Sequence, residues 1–213
     1  MQNLIINEIF YSIQGESLSI GIPTVFIRLT GCPLRCGYCD TTYAFNEGIK
    51  MSFKDILSKI KSFDCKNITV TGGEPLSQKN CSAFLDVLHE LSYEVSLETS
   101  NAISIENINK QTIIILDVKT PDSGESTKNI VKNYQYLKNT DQIKFVVCSL
   151  NDYKWSKEYI FKYNLHNICN ILLSPSFGEM NIKTLAENIL KDKLPARLQM
   201  QLHKIIWNDE RGR

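Results

Sequence analysis

Apolar residues recur along this chain with two different periods. Runs rich in Val, Ile and Thr at 25–30, 67–71, 94–98, 112–118, 142–148 and 168–173 have the length and β-branched content of buried strands. Between them lie stretches with helical spacing. Over 53–63, Ile56, Leu57 and Ile60 share one face after Ser52, with Asp55 three positions on as a capping-box partner. Over 77–91, Phe84, Leu85, Leu88 and Leu91 repeat the pattern. Strands alternating with helices predict right-handed crossovers and a parallel core sheet in an α/β fold. Six such units fall short of a closed eight-stranded barrel of about 250 residues. The expectation is an open, partial (β/α)6 barrel forming a single domain over 1–213.

Composition narrows the function classes. With 213 residues, 43% of them apolar, the chain is long enough for one hydrophobic core. Formal net charge is +1 and the charges are interleaved, which leaves no phosphate-backbone footprint and no membrane-surface patch. A small-molecule substrate fits better than nucleic acid. The first ten residues lack a basic start and are interrupted by Glu8, so a secretory signal is not expected. The apolar run around 113–116 is far shorter than the roughly 20 residues a membrane span needs. A soluble, cytoplasmic protein follows as the expectation.

Seven cysteines are an odd number, with three crowded into eight positions and four scattered. That argues against a disulfide framework and for a reducing compartment. Cys65, Cys81, Cys148 and Cys169 lie in apolar segments and are expected to behave as small buried hydrophobes.

The crowded three form Cys32-x3-Cys36-x2-Cys39, directly after the first core strand. Soft thiolates on one tight loop select zinc, copper(I) or an iron-sulfur cluster over hard cations. Three local thiolates leave one iron of a four-iron cluster without a protein ligand, open to a substrate or cofactor. A zinc knuckle would need a fourth ligand at short spacing, and Cys65 and His89 are the nearest downstream candidates. An electron carrier would normally close the open site.

Three further polar motifs fall at predicted strand ends: Thr71-Gly72-Gly73-Glu74-Pro75, Glu98-Thr99-Ser100-Asn101 and Asp117-Val118-Lys119. The paired glycines would let backbone approach a ligand. Ser100 is also a candidate helix N-cap, and Asp117 and Lys119 are a candidate local ion pair. Ligands of parallel α/β folds gather at such ends.

The cysteine spacing, with Tyr38 before the last cysteine, resembles the radical S-adenosylmethionine (SAM) superfamily. The resemblance implies a 4Fe-4S cluster on Cys32, Cys36 and Cys39 that cleaves SAM reductively. It implies SAM contacts from Tyr38, Cys39, Asp40, Gly73, Glu74, Asn101, Asp117, Val118 and Lys119, and from Ser174, Pro175, Ser176 and Phe177.

Within that superfamily, Ile9 to Ser17, Phe26 to Cys32, Cys39-Asp40-Thr41 and Gln199 to Lys204 resemble the 7-carboxy-7-deazaguanine synthase family over nearly the whole chain. That resemblance implies a lyase converting 6-carboxy-5,6,7,8-tetrahydropterin to 7-carboxy-7-deazaguanine with loss of ammonia, toward queuosine. Substrate contacts are then expected from Ile13, Gln14, Gly15, Arg28, Thr99 and His203, a Mg2+ ligand at Thr41, a flavodoxin- or ferredoxin-type reductant, and a homodimer. Where many relatives carry Ser-Pro-Lys this chain has Asp117-Val118-Lys119, so Lys119 alone transfers cleanly. The tail also runs on past the usual ending, so no role for Arg213 is carried over. A glycyl-radical activase shares the cysteine loop, and an iron-sulfur carrier or metal-binding module is the alternative from another class.

Overall fold

The computed structural model describes residues 2–208 and 210–213. The order of elements is β1 (Asn3–Ile13), β2 (Pro23–Leu29), β3 (Ile49–Ser52), α1 (Phe53–Lys61), β4 (Asn67–Gly72), α2 (Cys81–Glu90), β5 (Glu94–Thr99), β6 (Ile113–Asp117), β7 (Gln142–Val147), α3 (Leu150–Lys162), β8 (Asn170–Pro175), α4 (Ile182–Asp192), β9 (Arg197–Leu198) and α5 (Leu202–Trp207). One sheet runs β3-β1-β2-β4-β5-β6-β7-β8-β9. From β2 to β9 every pairing is parallel, while β1 pairs antiparallel with β2 and β3. The edges β3 and β9 do not pair, so the six predicted core strands form an open parallel sheet as expected.

The period of two decides what each face carries. Val25, Ile27, Leu29, Ile68, Val70, Val95, Leu97, Leu116, Ile143, Phe145 and Leu173 are buried in the core with Ile56 and Ile60 of α1, Phe84, Leu85 and Leu88 of α2, Tyr153 and Ile160 of α3, and Leu185 of α4. The alternate positions Arg28, Thr71, Glu98, Asp117 and Lys144 line a cavity on the opposite face. Packing the helices therefore orients the polar set.

Ser52 caps α1 as its spacing predicts, accepting from Asp55 N at 3.2 Å and donating to Asp55 Oδ2 at 2.6 Å. The other predicted helix is shorter than 77–91: Pro75–Ser77 form a 3-10 turn and α2 begins at Cys81. Two expected crossover helices do not form. The β5–β6 connection is irregular and the β6–β7 connection holds only 3-10 turns at Pro121–Ser123, Ser126–Lys128 and Val131–Tyr136. The strand β1 lies outside the predicted set because its apolar period slips. Its register with β2 shifts between Ile6 and Glu8, a bulge that leaves both Ile6 and Ile9 buried. Among the described residues, no helix is long and apolar enough to cross a membrane.

Candidate active site

A cavity of about 640 Å³ opens over the carboxyl ends of the parallel strands. The sheet supplies its floor, the cysteine loop one wall, and the turn after β1 together with α5 another.

Neighbouring segments of the chain brace the cysteine loop. Gly31 N donates to Ala44 O at 2.8 Å, Glu74 N to Gly31 O at 2.8 Å, and Gly37 N to Ser123 O at 3.1 Å. Arg35 gives its backbone N–H to Glu125 Oε1 at 2.6 Å and its Nη1 to Cys32 O at 2.8 Å, and its guanidinium lies 4.2 Å from the Phe45 ring centre. The paired glycines serve this packing. A Cβ on Gly72 would stand 2.3 Å from Leu29 O, and one on Gly73 would stand 2.5 Å from Gly31 O and 2.8 Å from Cys32 Cβ. Both glycines also line the cavity, so their missing side chains let the end of β4 pack against Leu29 and the cysteine loop while keeping backbone at the cavity surface.

Cys32, Cys36 and Cys39 all line the cavity. Burial pushes the Cys36 thiol up to about 11, with Asp117 adding to the shift and Lys119 opposing it. Among the described residues no three His, Cys, Asp or Glu side chains gather where a single metal ion would sit. Three thiols on one cavity wall, with no fourth ligand at knuckle spacing in the sequence, suit a cluster that keeps one iron open. Beside it, Tyr38 Oη and Asp117 Oδ1 are buried without a hydrogen-bond partner. A polar cofactor would satisfy such groups, so the residues present fit a cluster with SAM.

Along the floor runs a chain of charges. Lys144 Nζ donates to Glu16 Oε2 at 2.7 Å and Gln201 Nε2 to Glu16 Oε1 at 2.8 Å. Burial pushes Glu16 up, but Lys144 and these two bonds outweigh it and hold the carboxyl below its usual range. The Glu98 carboxyl, half-buried on the same floor, is raised by desolvation and by Glu16, against the opposing pull of Lys144, Thr71 and Arg28. Arg28 Nε donates to Glu8 Oε1 at 2.7 Å, and Tyr43 Oη to the same oxygen at 3.0 Å. Lys119 Nζ meets Asp117 Oδ2 at 2.8 Å, so the local ion pair does form.

Most residues singled out in the sequence line this one cavity: Ile13, Gln14, Gly15, Arg28, the three cysteines, Tyr38, Asp40, Thr41, Gly73, Thr99, Asp117, Lys119, Ser174, Ser176, Phe177 and His203. Glu74, Asn101, Val118 and Pro175 do not. Glu74 is fully buried and its carboxylate is saturated: it accepts from Leu76 N at 2.9 Å, Thr99 Oγ1 at 2.9 Å, Ser100 N at 2.6 Å and Ser100 Oγ. Glu74, expected beside the cofactor, clamps the β5 end from within the protein, and Ser100 caps no helix. Asn101 takes a left-handed φ of 57° and accepts from Asn133 Nδ2 at 2.9 Å. Val118 is buried in the core. All seven cysteines are unpaired, but Cys65 and Cys148 are only half-buried, contrary to expectation: Cys65 Sγ reaches Pro23 O at 3.4 Å, a polar contact that holds it at the surface.

Glu98 and Glu16 lay within segments the sequence singled out but were given no role of their own, and Lys144 belongs to no motif; the usable signal was a charge in an otherwise apolar strand.

The Radical SAM superfamily matches residues 26–144. The 7-carboxy-7-deazaguanine synthase of Chlorobaculum tepidum is 42% identical over 97% of this chain and 96% of its own length. The synthase of Clostridium acetobutylicum is 41% identical over 96% and 97%. In fold, the crystal structure of QueE from Escherichia coli superposes with a TM-score of 0.79 at 22% identity, covering 94% of this chain and 95% of that one. With the cysteine wall, the polar floor and full-length relatives in agreement, this chain belongs to the 7-carboxy-7-deazaguanine synthase family of radical SAM enzymes.

Proposed function

We propose that this chain converts 6-carboxy-5,6,7,8-tetrahydropterin to 7-carboxy-7-deazaguanine with release of ammonia, a step toward queuosine. The observation that carries the reading is that the cysteine triad shares one cavity with Arg28, Thr99 and His203, in a chain whose full-length relatives bear that synthase name.

Cys32, Cys36 and Cys39 would hold the 4Fe-4S cluster. Tyr38, Asp40, Gly73, Asp117, Lys119, Ser174, Ser176 and Phe177 would surround SAM, supported from behind by Glu74, Asn101, Val118 and Pro175. Cluster and SAM, once bound, would supply radical chemistry at the cavity for hydrogen abstraction. The chain's own work is placement. Glu8 occupies Nε of Arg28 and leaves both terminal amino groups for a substrate carboxylate, a planar fork that suits that anion. The turn at Ile13, Gln14 and Gly15, with Thr99 and His203, holds the ring within near-attack reach, roughly 3 to 4 Å, and keeps water out.

Thr41 would hold Mg2+. Its hydroxyl donates to Asp40 Oδ1 at 2.8 Å, which turns its lone pairs outward, and Mg2+ completes its shell with waters and substrate oxygens. A flavodoxin- or ferredoxin-type reductant, a cytoplasmic setting and a homodimer complete the proposal, the setting supported by seven unpaired cysteines.

The test is anaerobic reconstitution followed by electron paramagnetic resonance with and without SAM, then incubation with the carboxy-tetrahydropterin and mass analysis. A SAM-perturbed cluster signal and a deazaguanine product are expected, and Cys36→Ala should lose both. Conversion by Cys36→Ala would overturn the reading, and activity indifferent to chelation and refilling would remove Mg2+.

A further inference from the structure

We propose that Glu98 is a specificity-determining contact that reads the donor edge of the substrate's pyrimidine ring, the paired N–H groups of its 2-amino amidine. The inference rests on the pterin reading above and deepens it.

Glu98 sits one residue before the end of β5, on the cavity floor. Its carboxylate differs from those of Glu8, Glu16 and Asp40 in what occupies it, and from Asp117 in lacking a lysine partner of its own. Glu8 is taken by Arg28 and Tyr43, with Arg211 Nε at 3.5 Å from its other oxygen. Glu16 is taken by Lys144 and Gln201. Asp40 is taken by Thr41 and by Lys204, whose Nζ is 3.1 Å away. Glu98 receives one hydrogen bond, from Thr71 Oγ1 to Oε2 at 2.9 Å. Among the described residues Oε1 has no protein partner.

A half-buried carboxylate on a cavity floor with one oxygen unoccupied by protein donors is an acceptor that a bound molecule's donors can reach. Of the cations near it, Lys144 is paired with Glu16 and Arg28 gives its Nε to Glu8, and Glu16 itself adds repulsion. A ligand that brings two adjacent N–H groups would meet Oε1 and the remaining lone pair of Oε2 together. A 2-amino pyrimidinone does so with its ring N–H and amino group, while its distal carboxylate faces the free amino groups of Arg28. The floor would thus present an acceptor to one end of the substrate and donors to the other, which orients it uniquely.

The experiment measures binding, separately from turnover. Reconstituted, SAM-loaded enzyme is titrated with 6-carboxypterin and with 6-carboxylumazine, which carries a 2-oxo group in place of the amino group, following pterin or lumazine fluorescence. Wild type is expected to prefer the pterin by about 10- to 100-fold, the value of a hydrogen bond to a charged group. Glu98→Gln puts a donor opposite C2 and should bring that preference to unity or invert it. Glu98→Asp keeps the charge at shorter reach and should weaken both ligands while preserving their order. Equal binding of the two ligands by wild type overturns the assignment without any variant, and so does an unchanged preference in Glu98→Gln. If wild type binds neither ligand and forms no deazaguanine, the function reading itself falls, and this assignment with it.

Discussion

The imidazole of His203 stands where a side chain on Gly15 would begin: a Cβ there would lie 2.1 Å from Nδ1 and 2.8 Å from Cγ. The same two segments are joined by Leu202 N donating to Gly15 O at 2.9 Å. The turn after β1 and the start of α5 thus form one unit over the cavity, and glycine is what lets them meet.

Gly15→Ala should displace His203 and raise KM for the pterin while leaving the cluster spectrum unchanged. His203→Ala removes the clash, so the double variant should be less impaired than the sum of the singles, with a coupling of about 0.5–3 kcal/mol, as for residues in contact. Additive effects on KM would show that the contact carries no function.

The cysteine loop depends on a glycine in the same way. Gly73→Ala leaves every thiol in place, but its methyl would press on Gly31 O and Cys32 Cβ. The expected result is reduced iron and sulfide per chain after reconstitution. Normal cluster loading in Gly73→Ala would refute the packing role.

Arg28→Ala removes the fork opposite the substrate carboxylate and strands Glu8 with fewer donors. Loss of a paired charge contact costs about 2–5 kcal/mol, or roughly 30-fold and more in affinity. The loss should appear in pterin binding, with the SAM-dependent resonance signal intact. Arg28→Lys should recover only part, since one ammonium cannot replace the planar pair. Full recovery by lysine would argue for charge alone.

Glu16 gives a pH dependence with a definite sign. Its native carboxyl titrates below its ordinary value of 4.5 because, against its burial, Lys144 and the bonds from Lys144 and Gln201 favour the charged form. The stabilisation is therefore complete above about pH 4.5 and is lost as pH falls through the lower native value. In urea unfolding of the metal-free chain, the stability difference between wild type and Glu16→Gln should be constant near neutrality and shrink in acid. A gap that does not change with pH would remove this linkage.

Much of this architecture was readable from residue order, and the failures have physical causes. All six core strands were legible because apolar residues such as Ile68, Val70, Val95 and Leu97 alternate with polar ones in short runs bounded by turns. The strand β1 was not, since one extra residue at its bulge breaks the alternation that marks a strand. The cysteine loop was legible because metal chemistry restricts spacing. The clamp made by Glu74 was not: an acid after two glycines at a strand end looks like a ligand, and only three-dimensional packing reveals that Thr99, Ser100 and Leu76 consume its oxygens. The chain from Glu16 to Lys144 joins residues 128 positions apart, a distance over which no local pattern operates.

The alternation of the parallel strands has a further consequence for how this protein tolerates change. Because Leu97 and Glu98, or Leu116 and Asp117, point to opposite faces, a slip of one residue in a single strand would drive a carboxylate among the helices and turn a leucine toward the reacting molecule. Misfolding and loss of chemistry are therefore the same event here. Insertions within the parallel strands β4 to β8 should be ruinous whatever residue they add, while connections away from the cavity should accept them.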